Sequence, residues 1–179
     1  HLGTSPDGKL RLIFVGCLIP LKACDLALRA AAKLLRAGVA HFTVVGDGSE
    51  RKHLEQLTKS LKIHNAVTFT GWLAYSDALE QLQEADVLVF PSLREFGGGV
   101  VFEALAMGVV PIVADFGGPG DIVTPEVGYK IPLVNEDDFI LRLELVLRRL
   151  AEDRNHLKEL KLQGKEYARK CLTWDAKAR

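Results

Sequence analysis

Two patterns alternate along the chain. Short, largely apolar runs such as LRLIFVGC (residues 10–17) and VLVF (87–90) suit strands buried on both faces. Between them lie segments whose apolar residues recur at helical spacing, as at Leu26, Ala27, Ala30, Ala31, Leu34 and Leu35. Read in order, the pattern predicts strands over 10–17, 41–45, 67–70, 87–90, 110–114 and 128–131. It predicts helices over 23–36, 50–62, 77–84, 100–107, 137–150 and 154–171, with a short tail carrying Trp174. Gly38 and Gly108 sit where helices stop, Pro91 ends a strand, and Ser49 and Ser76 are candidate helix caps. The alternation describes an α/β domain: a Rossmann-like, doubly wound sheet of about six mainly parallel strands over residues 10–179, with residues 1–9 a linker or appended lead-in.

In such sheets ligands collect outside the carboxyl ends of the strands. Gly16, the turn 46–49, Gly71, the loop after Phe90 and the loop 115–120 all fall there, so they are expected to border one crevice. In the turn 46–49, Asp47 is explained more simply as a turn former than as a ligand. The two closing helices are charged on one face, as around Arg142 to Leu150, which reads as an ordinary solvated face, and Asp121 reads as a helix-start carboxylate of structural use.

The chain has 179 residues, 48% apolar and 26% charged, which suits one globular domain able to bury its own core. A formal net charge of zero argues against nucleic-acid partners. Three widely spaced cysteines, Cys17, Cys24 and Cys171, fit reduced thiols and a cytoplasmic location better than a disulfide framework. The histidines are scattered, so no metal site is predicted. No apolar run reaches the roughly eighteen residues of a membrane span.

The chemistry concentrates between Glu95 and Glu103, with Gly97, Gly98 and Gly99 between them and a helix starting at their end. Backbone N–H groups of Gly98, Gly99 and Val100, aided by the helix dipole, form a natural cradle for a diphosphate. Two carboxylates beside such a cradle are poor phosphate ligands but good acceptors for sugar hydroxyls. Either glutamate alone is as well explained as a surface charge or a first-turn residue. Together with the glycines they point to a nucleotide-sugar site.

These residues resemble a known family. Pro91-Ser92-x-x-Glu95, the E-x7-E spacing to Glu103, the run EALAMGVVPIVA after it and Gly117-Gly118 are similar to the donor-binding, C-terminal half of retaining GT-B glycosyltransferases. The likeness extends to Gly16 and Lys22, to Gly46-Asp47-Gly48, to Thr68-Phe69-Thr70-Gly71 and to Trp174. It implies that Glu95 is the catalytic-site carboxylate, contacting donor-sugar hydroxyls near the reacting carbon. It also implies that Glu103 binds the ribose, and that Gly16, Lys22, Gly98, Gly99 and Val100 hold the diphosphate of a UDP-, GDP- or ADP-sugar, with no further cofactor. No D-x-D metal motif is present. The family places arginine after the first-loop glycine, where this chain has Cys17, and reads Glu-Gly-Phe-Gly where this chain has Glu95-Phe96-Gly97-Gly98.

The resemblance further implies an acceptor-binding half preceding His1, through which a peripheral membrane contact would be made. The domain alone is then expected to bind donor without transferring sugar. Two alternatives stand beside this reading: a nucleotide-sugar-binding domain without transferase activity, and a GT-B-type epimerase, for which no acid and base pair is evident. A dinucleotide oxidoreductase lacks its G-x-G-x-x-G turn after Gly16.

Overall fold

The structure, a computed structural model, describes residues 8–95 and 97–171, leaving aside the side chain of Cys171; Trp174 lies outside them. Six strands, β1 (Leu10–Val15), β2 (Ala40–Val45), β3 (Val67–Gly71), β4 (Val87–Phe90), β5 (Val110–Ala114) and β6 (Tyr129–Ile131), form one sheet in the order β3-β2-β1-β4-β5-β6. Every pairing in it is parallel. In β1, β2, β4 and β5 alternate residues face opposite sides of the sheet and enter opposite cores. Leu12 and Phe14 of β1, with Val87 and Val89 of β4, pack with helix α1 (Cys24–Arg36) and helix α6 (Glu136–Glu152). Ile13, Leu88 and Phe90 face helix α3 (Tyr75–Glu84) and helix α4 (Gly99–Met107). Both faces being covered explains why β1, β4 and β5 read as nearly continuous apolar runs.

Helix α2 (Arg51–Ser60), helix α5 (Gly117–Ile122) and helix α7 (Arg154–Cys171) complete the domain. Several local expectations are corrected. Neither Ser49 nor Ser76 caps a helix: α2 begins with Glu50 donating its N–H to the Leu18 carbonyl, and Ser76 lies inside α3 with its hydroxyl on Asp77. The side-chain caps that do form are Asn135, whose Oδ1 accepts from the Asp138 N–H at 2.9 Å, and Asp153, whose Oδ1 accepts from the His156 N–H at 2.9 Å. The loop expected over 115–120 contains α5, and Asp121 falls in its last turn, not at its start.

The closing helices are not wholly solvated faces. Lys161 of α7 is buried, its side chain 4% exposed, with Nζ 2.9 Å from Oδ1 of Asp86, which is itself 3% exposed. Arg11 completes the cluster, donating to Asp86 from its backbone N–H at 2.9 Å and from its guanidinium at 3.1 Å. One carboxylate thus joins β1, the start of β4 and α7. Burial alone would raise the pKa of Asp86, but the hydrogen bonds from Arg11 and the charge of Lys161 outweigh it and hold the group below its usual value.

Removing that carboxylate leaves buried Lys161 without its counter-ion, so Asp86→Ala is expected to cost about 3–5 kcal/mol in urea unfolding. Because the folded pKa is depressed, the stabilisation is full above the ordinary aspartate value of about 3.9 and disappears as pH falls through the lower, folded one. Unfolding midpoints measured from pH 6 downward are expected to show this acid loss in the parent chain and not in the variant.

Candidate functional site

Between β1 and β4 the strand order reverses, since the chain moves outward through β2 and β3 and then returns to build β4, β5 and β6 on the other side. Loops leaving neighbouring strands in opposite directions open a crevice at their carboxyl ends. The loop after β1 descends through Gly16 and Cys17 into a 3-10 turn over Pro20–Lys22. The loop after β4 runs from Pro91 to Gly98. The two are joined by the Leu93 N–H, which donates to the Leu21 carbonyl at 2.9 Å.

On this frame Lys22 and Glu95 form an ion pair through Nζ and Oε2, both side chains about one-fifth exposed. The ammonium also lies 5.5 Å from the centre of the Phe90 ring. The other carboxylate oxygen of Glu95, Oε1, faces the N–H groups of Gly97 at 3.3 Å and Gly98 at 3.5 Å. The hydrogen bond from Lys22 is the largest influence on the acidity of Glu95; with the charge of that lysine and the two glycine amides it outweighs partial burial. The carboxyl is held below the usual glutamate value and is ionised at neutral pH.

Glycine is required where the loops converge. Gly98 turns the chain into α4 with φ +62°, packed against Pro119 and Ile122 of α5. A Cβ on Gly117, at φ +59°, would stand 2.2 Å from the Glu95 carbonyl oxygen, which accepts from the Gly118 N–H at 3.3 Å. The glycine-rich stretch after β5 therefore braces the peptide of Glu95.

Of the residues expected at the site, Gly16, Lys22, Glu95 and Gly98 are brought to this one crevice. Gly99 and Val100 form the first turn of α4, and Glu103 lies one turn farther on, half-buried. Its Oε1 accepts a 2.8 Å hydrogen bond from the hydroxyl of Tyr75 at the start of α3. Tyr75 escaped sequence reasoning, as did exposed Phe116 at the entry to α5. Their only signal was an aromatic residue at the carboxyl edge of the sheet. The other turns of the edge are fastened to one another, Gly16 N–H to the Val45 carbonyl at 3.0 Å and Gly46 N–H to the Gly71 carbonyl at 2.9 Å. Asp47 acts as a turn former, its Oδ1 accepting from the Gly48 N–H at 2.7 Å. Cys17 is a free, half-buried thiol. Arg51 is committed to Glu55 and to the face of Phe69, and Lys130 to Asp115. Among the described residues no cluster of His, Cys, Asp and Glu could hold a metal ion, and no helix is long and apolar enough to cross a membrane.

The arrangement is a set of anion donors, one ammonium and two amides, that converge on a single carboxylate. Replacing Lys22 with methionine keeps the aliphatic stem and removes the charge. The Glu95 carboxyl is then expected to titrate nearer the ordinary value of about 4.3, as followed by side-chain carbonyl NMR. An unmoved midpoint would contradict the pairing.

Comparison with known proteins shows the family and the fold. Residues 3–167 match the sequence family described as glycosyl transferases group 1. An uncharacterised glycosyltransferase of Methanocaldococcus jannaschii is 35% identical over 148 residues, covering 82% of this chain and 37% of that protein. A GDP-mannose-dependent alpha-mannosyltransferase of Mycobacterium tuberculosis is 35% identical over 130 residues, 72% of this chain and 32% of that protein. The chain thus spans about a third of the length of these relatives. The crystal structure of Anabaena HepE in complex with UDP superposes with a TM-score of 0.79 at 22% identity, covering 90% of this chain and 44% of that one, a likeness of fold. With a match over nearly all its length and relatives at this identity, the chain belongs to the glycosyl transferases group 1 family.

Proposed function

We propose that this domain binds the nucleoside-diphosphate half of a sugar donor, and that the whole protein is a retaining hexosyltransferase whose acceptor half is a further domain. The observation that carries the reading is the convergence of Lys22 and the Gly97 and Gly98 N–H groups on one anionic group at the strand-order reversal. In the free chain that anion is the carboxylate of Glu95. A donor diphosphate carries more charge than a carboxylate and offers several oxygens to the same donors. On binding it replaces Glu95 on Lys22 and Gly98, with the Gly99 and Val100 amides and the α4 dipole adding to the cradle.

Glu95, released, accepts hydroxyls of the donor sugar, and Glu103 accepts ribose hydroxyls one helical turn away. As the glycosidic bond breaks, negative charge grows on the leaving diphosphate. Fixed dipoles and an ammonium stabilise that charge without reorganising. No further cofactor is assigned, the donor being a UDP-, GDP- or ADP-sugar. Relatives named for glycosyl transfer, one of them from GDP-mannose, support a nucleoside diphosphate as the ligand class. We place the reaction in the cytoplasm, with any membrane contact made through the acceptor half.

One feature favours a second reading, a sugar-nucleotide-binding domain without transferase activity: the thiol of Cys17 stands in the first loop where the resemblance implies an arginine. A thiol cannot supply the bidentate contact of a guanidinium.

Calorimetric titration of the chain with UDP, GDP and ADP is expected to show saturable binding of at least one. Lys22→Ala is expected to weaken that binding by about tenfold or more, the usual loss for a hydrogen bond to a charged group. If none of the three binds while the fold is intact, the donor-site reading is overturned. Cys17→Arg separates the two readings. Unchanged diphosphate affinity in that variant supports an active transferase in which Lys22 suffices, whereas a large gain supports a domain that has lost part of its site.

A further inference from the structure

Tyr75 is a residue that neither the motif spacing nor the glycine cradle calls for, yet its hydroxyl lies 2.8 Å from Oε1 of Glu103. The contact joins the first residue of α3 to the fifth residue of α4, across 28 positions of sequence. The tyrosine ring is 68% exposed, so packing does not account for where the hydroxyl rests. The hydrogen bond and the negative charge of Glu103 push the phenol above its ordinary pKa, so it keeps the proton it donates.

Glu103 has a competing environment. On its other side it borders a groove of about 370 Å³ between α4 and α7, whose wall includes the cations Lys165 and Arg169. A glutamate is long and flexible, and a carboxylate at the rim of that groove is drawn toward those charges. The Tyr75 hydroxyl holds it instead on the α3 side. One lone pair of Oε1 is used in doing so; the rest of Oε1 and all of Oε2 stay available as acceptors.

We propose that Tyr75 is a positioning residue for the nucleotide site, fixing the Glu103 carboxylate in the orientation that receives the two hydroxyls of a ribose. The proposal rests on the reading of Glu103 as the ribose acceptor. It makes selectivity for ribose a property of two helices: α4 supplies the carboxylate, and α3 decides which way it points. An unfixed carboxylate would lose rotamer freedom when ligand binds; one already fixed has lost it beforehand.

The test is binding of the nucleoside diphosphate that saturates the chain, of its 2′,3′-dideoxy analogue and of inorganic pyrophosphate to the parent chain, Tyr75→Phe, Glu103→Gln and the double variant. Tyr75→Phe is expected to weaken the ribonucleotide by about three- to tenfold, the usual cost of ordering one flexible side chain on binding. It is expected to leave the dideoxy analogue and pyrophosphate unchanged, and to have no further effect once Glu103 is glutamine. A Tyr75→Phe variant that binds the ribonucleotide as tightly as the parent overturns the proposal, and so does equal weakening of all three ligands, which would mark a general structural role. If Glu103→Gln itself binds the ribonucleotide like the parent, the ribose reading fails, and the proposal with it. A weakened Glu103→Gln beside an unaffected Tyr75→Phe sinks the proposal alone. Failure of every ligand to bind removes both.

Discussion

The reversal of strand order between β1 and β4 is the constraint from which the site follows. A parallel sheet needs a crossover after each strand, and right-handed crossovers that run outward in both directions from the middle leave the two central loops uncovered. Lys22 comes from one of those loops and Glu95 from the other. The carboxyl ends of the strands fix where the loops begin, and the Leu93-to-Leu21 hydrogen bond fixes how far they separate. The remaining loops serve as supports: α5 presses Pro119 and Ile122 against Gly98, and Gly118 donates to the peptide of Glu95.

This construction places opposite demands on one carboxylate. In the free chain Glu95 neutralises Lys22 and occupies glycine N–H groups that would otherwise face solvent at a helix start. On the proposed reading the cradle is ordered before any ligand arrives, and an arriving anion exchanges one set of charge-assisted hydrogen bonds for another. Such an exchange would lower the net gain in binding and preserve the geometry, as suits the proposed task of meeting charge that develops late in a reaction.

Much of this was legible in the chain. The strands were readable because both faces of the middle of the sheet are covered, which leaves β4 and β5 apolar throughout and β1 nearly so; the crevice was readable because glycines and turn formers gather at the strand ends. What escaped depended on distant partners. Gly-Gly-Pro-Gly reads as a loop, and it forms a short helix whose Pro119 and Ile122 lie against Gly98 on a neighbouring element. Lys161 looks like one more surface charge on a closing helix until Asp86, 75 residues away, is beside it. Ser49 and Ser76 carry the right chemistry for caps, but a backbone carbonyl of the first loop takes the N–H at the start of α2, and α3 begins one residue before Ser76. Tyr75 gave no signal beyond its place at the sheet edge, because its role depends on a side chain from another helix.

The central claim is that the crevice between the loops after β1 and β4 is where a nucleoside diphosphate binds. The most direct measurement is a residue-resolved amide NMR titration of the chain with UDP, GDP and ADP. Saturable shifts confined mainly to residues 16–22 and 97–103, largest at Gly98 and Gly99, are predicted for at least one of the three. Shifts centred elsewhere, such as the apolar groove beside Leu133 and Phe139, or no saturable shifts with a folded spectrum, would contradict the account.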